Sequence, residues 1–246
     1  MTFEPTAAPT RRSRKSGPQG QPRQVWLSRE AIVARAIEVG DQEGLDTVSF
    51  RRLALDLGVT PMALYRHVRN KDDLLDAMLD TLLGRVDLAG AARARGGWEG
   101  KLRFLLDGYR HLLRAHPVAI PLLAGRAGTT PNWLRTIEVG LGILREAGFP
   151  MREAVDLLRQ ISNRLVGLVT LEPLSAPSPS PELDTCLRQN RAFLQALPQA
   201  EFPNVTQAAP HLAQCDDPER YYQFGLDLLM DGVKAQLVKL RMTPCP

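Results

Sequence analysis

After residue 27, apolar residues recur at three- and four-residue spacing along nearly the whole chain, and β-branched alternation is almost absent. That period belongs to amphipathic helices, so an all-α architecture is expected. Ser28 caps a first helix with Ile32, Val33, Ala36, Ile37 and Gly40 on one face, stopping near Gly44. Ser49 caps a short second helix, Phe50 to Leu57, closed by Gly58. Thr60 and Pro61 open a third that ends near His67, since a proline at the first helical position gives up no hydrogen bond. Asn70 caps a fourth, running to about Gly84, with Asp72 and Asp73 favourably placed in its first turn.

Further helices are expected over 98–115 (ended by His116-Pro117), 131–147 (closed by Gly148), 151–171, about 182–197 and about 218–240. The Pro/Ser-rich stretch 173–181 reads as a loop, one that gates a ligand or simply connects helices. Residues 1–26 carry few large apolar side chains and read as disordered.

The last helix presents two apolar faces. Tyr222, Leu226, Leu229, Val233, Leu237 and Leu240 form one; Tyr221, Phe224, Gly225, Leu228, Gly232 and Ala235 form the other. Helix 151–171 is similarly broad, through Val155, Leu158, Ile161, Leu165, Val166, Leu168 and Val169. Such a helix either lies at the centre of a monomer or meets a partner chain, and an isologous four-helix dimer interface is the expected arrangement.

Composition changes this picture little: 246 residues, 44% hydrophobic and 24% charged, suit an ordinary globular protein. No apolar run approaches the roughly 18 residues of a membrane span, and no export signal follows the N-terminal arginines. Cys186, Cys215 and Cys245 form neither a CxxC pair nor an even framework, as expected of free thiols in a reducing cytoplasm. Charge is more telling. Residues 1–27 hold Arg11, Arg12, Arg14, Lys15 and Arg23 against Glu4, which accounts for the whole net charge of +4. A cationic tail on a neutral body points to a polyanion, nucleic acid or an anionic membrane surface, and reads equally as a solubility segment.

Residues 49–67 carry the chemistry: a short helix, a tight turn at Leu57-Gly58-Val59-Thr60, and another short helix. Gly58 allows the turn, and Leu53, Ala54, Leu57, Val59 and Leu64 can lock the two helices at a steep angle. This is a helix-turn-helix, whose second helix projects into the DNA major groove. Between Thr47 and Lys71 stand Arg51, Arg52, Arg66, Arg69 and Lys71 against the single acid Asp56.

The stretch Thr47-Val48-Ser49-Phe50-Arg51-Arg52-Leu53-Ala54, with Leu57 through Leu75, resembles the DNA-binding domain of tetracycline-repressor (TetR) family regulators. Leu64-Tyr65-Arg66-His67-Val68-Arg69-Asn70-Lys71 is the most specific part. More weakly, Trp98, His116-Pro117, Glu146 to Phe149 and Phe224 to Asp227 sit where the family's namesake has similar residues. The resemblance implies three parts: a tail (1–27), a three-helix helix-turn-helix domain (28–74), and a larger helical effector-binding and dimerisation domain (75–246) reached through a linking helix.

It implies roles as well. Arg51 contacts phosphate or base. Pro61, Met62 and Ala63 face base edges, where without bidentate donors they suit thymine methyls. Tyr65 and His67 meet phosphate beside Lys71, and Arg66 is a second polar reader. As a homodimer, the protein would read a palindromic double-stranded operator with recognition helices about 34 Å apart. A small-molecule effector would release it, the usual outcome being repression.

For that effector, Asp87, Leu105 and Leu123 stand where the namesake grips its drug and metal through histidine, asparagine and histidine. The two leucines remove metal-ligating capacity, so no metal or other cofactor is expected, and tetracycline–magnesium is not the expected ligand. Tyr109, Leu158 and Ser162 complete a largely apolar candidate pocket suited to an apolar or amphipathic molecule.

An enzyme is not expected: GxSxG, HExxH, P-loop and complete GxGxxG patterns are absent, and His111 and His116 are five apart, the wrong spacing for a metal pair on one face. An effector-independent architectural DNA binder and a protein-interaction module whose basic tail binds membrane are the competing classes.

Overall fold

In the computed structural model, residues 27–125, 129–171, 181–213 and 217–242 are described. The tail before residue 27, the loop up to Ser180, Cys215 and Cys245 lie outside the described residues. Among the described residues there is no strand, and no helix is long and apolar enough to cross a membrane.

The first third is built on local signals. Ser28 Oγ accepts from Ala31 N–H to start α1 (Arg29–Glu43), and Ser49 Oγ accepts from Arg52 N–H to start α2 (Phe50–Asp56). Gly58 then turns the chain at φ +66°, a conformation that side chains with a Cβ resist. Next comes α3 (Pro61–Leu64), shorter than the sequence suggests. Beyond Leu64 the chain tightens into turns, Arg66 N–H bonding Ala63 O and His67 N–H bonding Leu64 O. Thr60 occupies the capping position of α3, but its hydroxyl accepts nothing there. Asn70 Oδ1 accepts from Asp73 N–H at 2.8 Å to begin α4 (Lys71–Leu83), which crosses the expected domain boundary at 74/75 without a break. Ile32, Ala36, Val48, Leu53, Leu64, Val68 and Leu74 are fully buried among these helices, in a core that continues into the rest of the protein.

The remaining helices are α5 (Leu88–Arg93), α6 (Gly97–Ala115), α7 (Ala119–Gly125), α8 (Pro131–Ala147), α9 (Met151–Leu171), α10 (Pro181–Gln195), α11 (Pro203–Leu212) and α12 (Pro218–Met242). Three of these, α5, α7 and α11, were not expected from the sequence. Each is short; α5 starts on an Asp87 cap that the sequence reading passed over, and the residue before α11, Phe202, offers no side-chain cap. The second domain is centred on α6, which packs on α5, α7, α8 and α9, while α12 packs on α9. Gly148 ends α8 at φ +109°. Arg110, 4% exposed, lies 3.9 Å from the ring centroid of Tyr222 and donates to Glu219, pinning the start of α12 to α6. On α12 the two expected faces part company. Tyr222, Leu226, Leu229, Val233 and Leu237 are buried, whereas Phe224 and Leu228 are 66% and 59% exposed. The hairpin of α10 and α11 packs chiefly on itself, and α10 buries no residue.

Candidate nucleic-acid interface

The helix-turn-helix is held by three groups of contacts. Apolar packing of Leu53, Ala54 and Leu64 fixes α2 against α3, with Leu57 and Val59 half-buried at the turn. An ionic cluster ties α2 to α1: Asp56 accepts from Arg35 (2.9 Å) and from Arg52 (3.1 Å), and Arg52 also grips Glu43 at 2.6 Å. Arg52 therefore has its pKa raised by Glu43 and Asp56, and of the five cations counted in this segment it alone is taken up by acids of its own domain.

Arg29 makes the third group. Its guanidinium donates to both oxygens of Asp73 (2.7 and 3.1 Å) and to the backbone carbonyl of His67 at 2.9 Å. Asp73 also accepts from Arg69 N–H at 2.8 Å, and with Arg29 this holds its carboxyl down at about 2. One arginine thus joins α1, the end of the recognition segment and the start of α4.

Around this frame most of the expected contact residues face solvent. Arg51, Pro61, Met62, Tyr65, Arg66 and Lys71 are exposed, and Ala63 and His67 half-buried. Met62 is 74% exposed and Tyr65 49%. Arg51, Arg66 and Lys71 form no ion pair among the described residues. Tyr65 is not loose: its ring stacks on Phe50, centroids 4.5 Å apart and planes 4° from parallel. Phe50 and Arg29 were missed by sequence reasoning. Aromatic character at both 50 and 65 was visible, but not that they meet; Arg29 lies 38 and 44 residues from its partners. Cations and hydroxyls set out on a rigid surface, with apolar side chains at the start of the recognition helix, suit phosphate contacts around base-edge contacts.

The expected effector residues are more scattered. Leu105 and Tyr109 face the core from α6, Leu123 on α7 and Leu158 on α9 are half-buried, and Leu158 lies against Gly140 of α8. Tyr109 donates to Thr136 Oγ1 of α8 at 2.6 Å, and burial, partly offset by this bond, pushes its phenol up to about 12. Asp87 and Ser162 lie on the surface. Asp87 is spent capping α5 by accepting from Gly90 N–H, and Ser162 Oγ donates back to Leu158 O.

Two family models match the chain: "Bacterial regulatory proteins, tetR family" over residues 32–78 and "Tetracyclin repressor-like, C-terminal domain" over residues 91–237. The class E tetracycline repressor of Escherichia coli is 29% identical over 225 residues, covering 89% of this chain and 96% of its own. The class A repressor from transposon 1721, also of Escherichia coli, is 30% identical over 220 residues, with the same two coverages. Among solved structures, apo ActR from Streptomyces coelicolor superposes with a TM-score of 0.73 at 26% identity, covering 87% of this chain and 98% of that one. The complex of ActR with actinorhodin gives 0.71 at 26%, covering 86% and 98%.

Proposed function

Because the chain belongs to the tetR family of bacterial regulatory proteins, we propose that it is a homodimeric, ligand-responsive repressor that binds a palindromic DNA operator and leaves it when a small molecule occupies the second domain. It is a regulator and not an enzyme, and it acts in the cytoplasm, where its DNA is. The observation that carries the reading is the exposure of Arg51, Met62, Tyr65, Arg66 and Lys71 on and beside the helix-turn-helix: three cations with no ion pair among the described residues, an exposed methionine, and a tyrosine braced by Phe50. In the complex Tyr65, His67 and Lys71 hold phosphate, Arg51 contacts phosphate or base, Arg66 reads polar base edges, and Pro61, Met62 and Ala63 face thymine methyls.

Dimerisation follows from the exposed face of α12. Phe224 and Leu228, with the outer side of α9, form apolar surface that a second copy covers by two-fold symmetry, giving a four-helix interface and two recognition helices about one helical turn of DNA apart. For the effector we favour an apolar or amphipathic molecule held between α6, α7, α8 and α9 by Leu105, Tyr109, Leu123 and Leu158. The Tyr109 and Thr136 hydroxyls supply its polar contacts. Actinorhodin, an ActR ligand, shows the size of molecule such a relative accommodates.

Capture of sheared genomic DNA by the purified protein at near-physiological salt tests the reading. Enrichment of a palindrome that is lost in an Arg51→Ala, Tyr65→Ala double variant supports it; folded dimer that enriches no sequence refutes it.

A further inference from the structure

Two side chains join α1 directly to the second domain, bypassing the linking helix. Asp41, near the end of α1, uses one carboxylate oxygen to meet His116 Nδ1 at 2.6 Å and the other to accept from Val118 N–H at 3.2 Å. The other ring nitrogen of His116, Nε2, contacts the guanidinium of Arg85, just beyond the end of α4. An arginine can only donate, so Nε2 accepts from it and Nδ1 is the nitrogen that donates to Asp41. Beside this network Gly40 lies so close to Val118 that a Cβ there would overlap the valine side chain. The corner 116–118 is therefore seated on α1 by two polar bonds and one close packing contact.

The same corner ends α6 and begins α7, the helices that carry Leu105, Tyr109 and Leu123. At the far end of α1, Arg29 holds Asp73 of α4 and the carbonyl of His67. Helices α1 and α4 are thus tied at both ends, by Arg29 at one and by the Asp41, His116 and Arg85 set at the other. In a ring closed in this way α4 cannot swing alone. Any shift of the corner reaches the recognition segment through α1 as well.

We propose that His116 is a positioning residue for operator binding: through its bond to Asp41 it fixes the orientation of the helix-turn-helix domain on the second domain, and through it a displaced α6–α7 corner acts on α1. The inference rests on the regulator reading above, and the test separates the two.

Two variants divide the bonds of His116. His116→Asn places an amide N–H near the position of Nδ1 and keeps the donor to Asp41. His116→Gln reaches the position of Nε2, keeps an acceptor for Arg85 and loses the donor. Affinity is measured by titration of the full-length protein onto the duplex recovered by genomic capture, with the melting temperature recorded alongside. His116→Gln and Asp41→Ala are each expected to weaken binding about tenfold, and the double variant no further, as for two partners in one interaction. His116→Asn is expected to stay within about twofold of the wild type. The ranking of operator point variants is unchanged throughout, since no base-reading residue is touched. If Asp41→Ala lowers the melting temperature, the Asn and Gln pair still decides, because a purely structural role would not distinguish them in affinity at equal melting temperature.

Equal affinities for the two His116 variants, tighter binding on loss of the bond, or additive losses in the double variant would overturn the inference and leave the regulator reading standing. A wild-type protein that binds no duplex overturns both.

Discussion

The helix-turn-helix domain and the α10–α11 hairpin are written in the same sequence language and end in opposite states. Both show apolar residues at helical spacing. In the first, Ile32, Leu53, Leu64 and Leu74 are fully buried. In the second, Phe193, Phe202 and Leu212 stay 64%, 42% and 58% exposed, and α10 buries nothing. Periodicity says that a helix has an apolar face; it does not say which surface, or which chain, covers it.

The comparison is broken most directly by truncation. Leu64→Ala is expected to cost about 2–5 kcal/mol, the range for deleting a fully buried leucine side chain, and to unfold the reading domain first. Phe193→Ala, already in solvent, is expected to cost less than about 0.5 kcal/mol in dilute protein. Urea denaturation of both variants measures this, and equal costs would mean that the hairpin has a core of its own.

Next in size are the contacts that face outward from the well-built domain. Arg51→Ala and Tyr65→Ala should each weaken operator binding by about 1–3 kcal/mol, while Lys71→Ala lowers the salt dependence by about one unit without changing sequence preference. Titrations at several salt concentrations check these, and a Lys71→Ala loss confined to particular base pairs would assign Lys71 to base reading instead.

A smaller effect distinguishes two caps that look alike in the sequence. Asn70→Ala removes an acceptor from Asp73 N–H and should cost about 1 kcal/mol. Thr60→Ala removes a hydroxyl that caps nothing and should cost only a few tenths. Comparison of their urea midpoints decides.

The last test uses pH. Arg29 and Arg69 N–H lower the Asp73 carboxyl from 3.8 to about 2. A depressed carboxylate stabilises the fold fully above its unfolded pKa and loses that contribution as pH falls through the folded one. The stability of the reading domain should therefore decline between about pH 4 and pH 2. In Arg29→Ala that part of the decline should shrink, as followed by the urea midpoint at each pH.

What was legible in the sequence was local. Ser28, Ser49 and Asn70 cap within three residues of themselves, and Gly58 and Gly148 turn the chain where they stand. What was hidden depends on distance along the chain. Asp56, four residues on in the same helix, was a legible partner for Arg52, but Glu43 of α1 was not, and Tyr65 looks unsupported until Phe50 slides beneath it. His116 was read as a helix end, as part of the family resemblance and as half of a metal pair, but nothing near it in the sequence points to Asp41, 75 residues away. The short helix α7, an apolar run beginning just beyond His116-Pro117, is held by α4 and α6 more than by any signal of its own.

The recognition helix is a single turn, Pro61–Leu64, and it lacks a side-chain cap. Isolated helices shorter than about 12 residues are marginal in water because nucleation costs more than so few bonds return. A peptide copied from residues 60–68 would therefore carry the letters of the operator code without the shape. Transplanting this protein's DNA preference into another scaffold means moving α1, α2 and the start of α4 with it, because the portable unit of specificity is the whole domain.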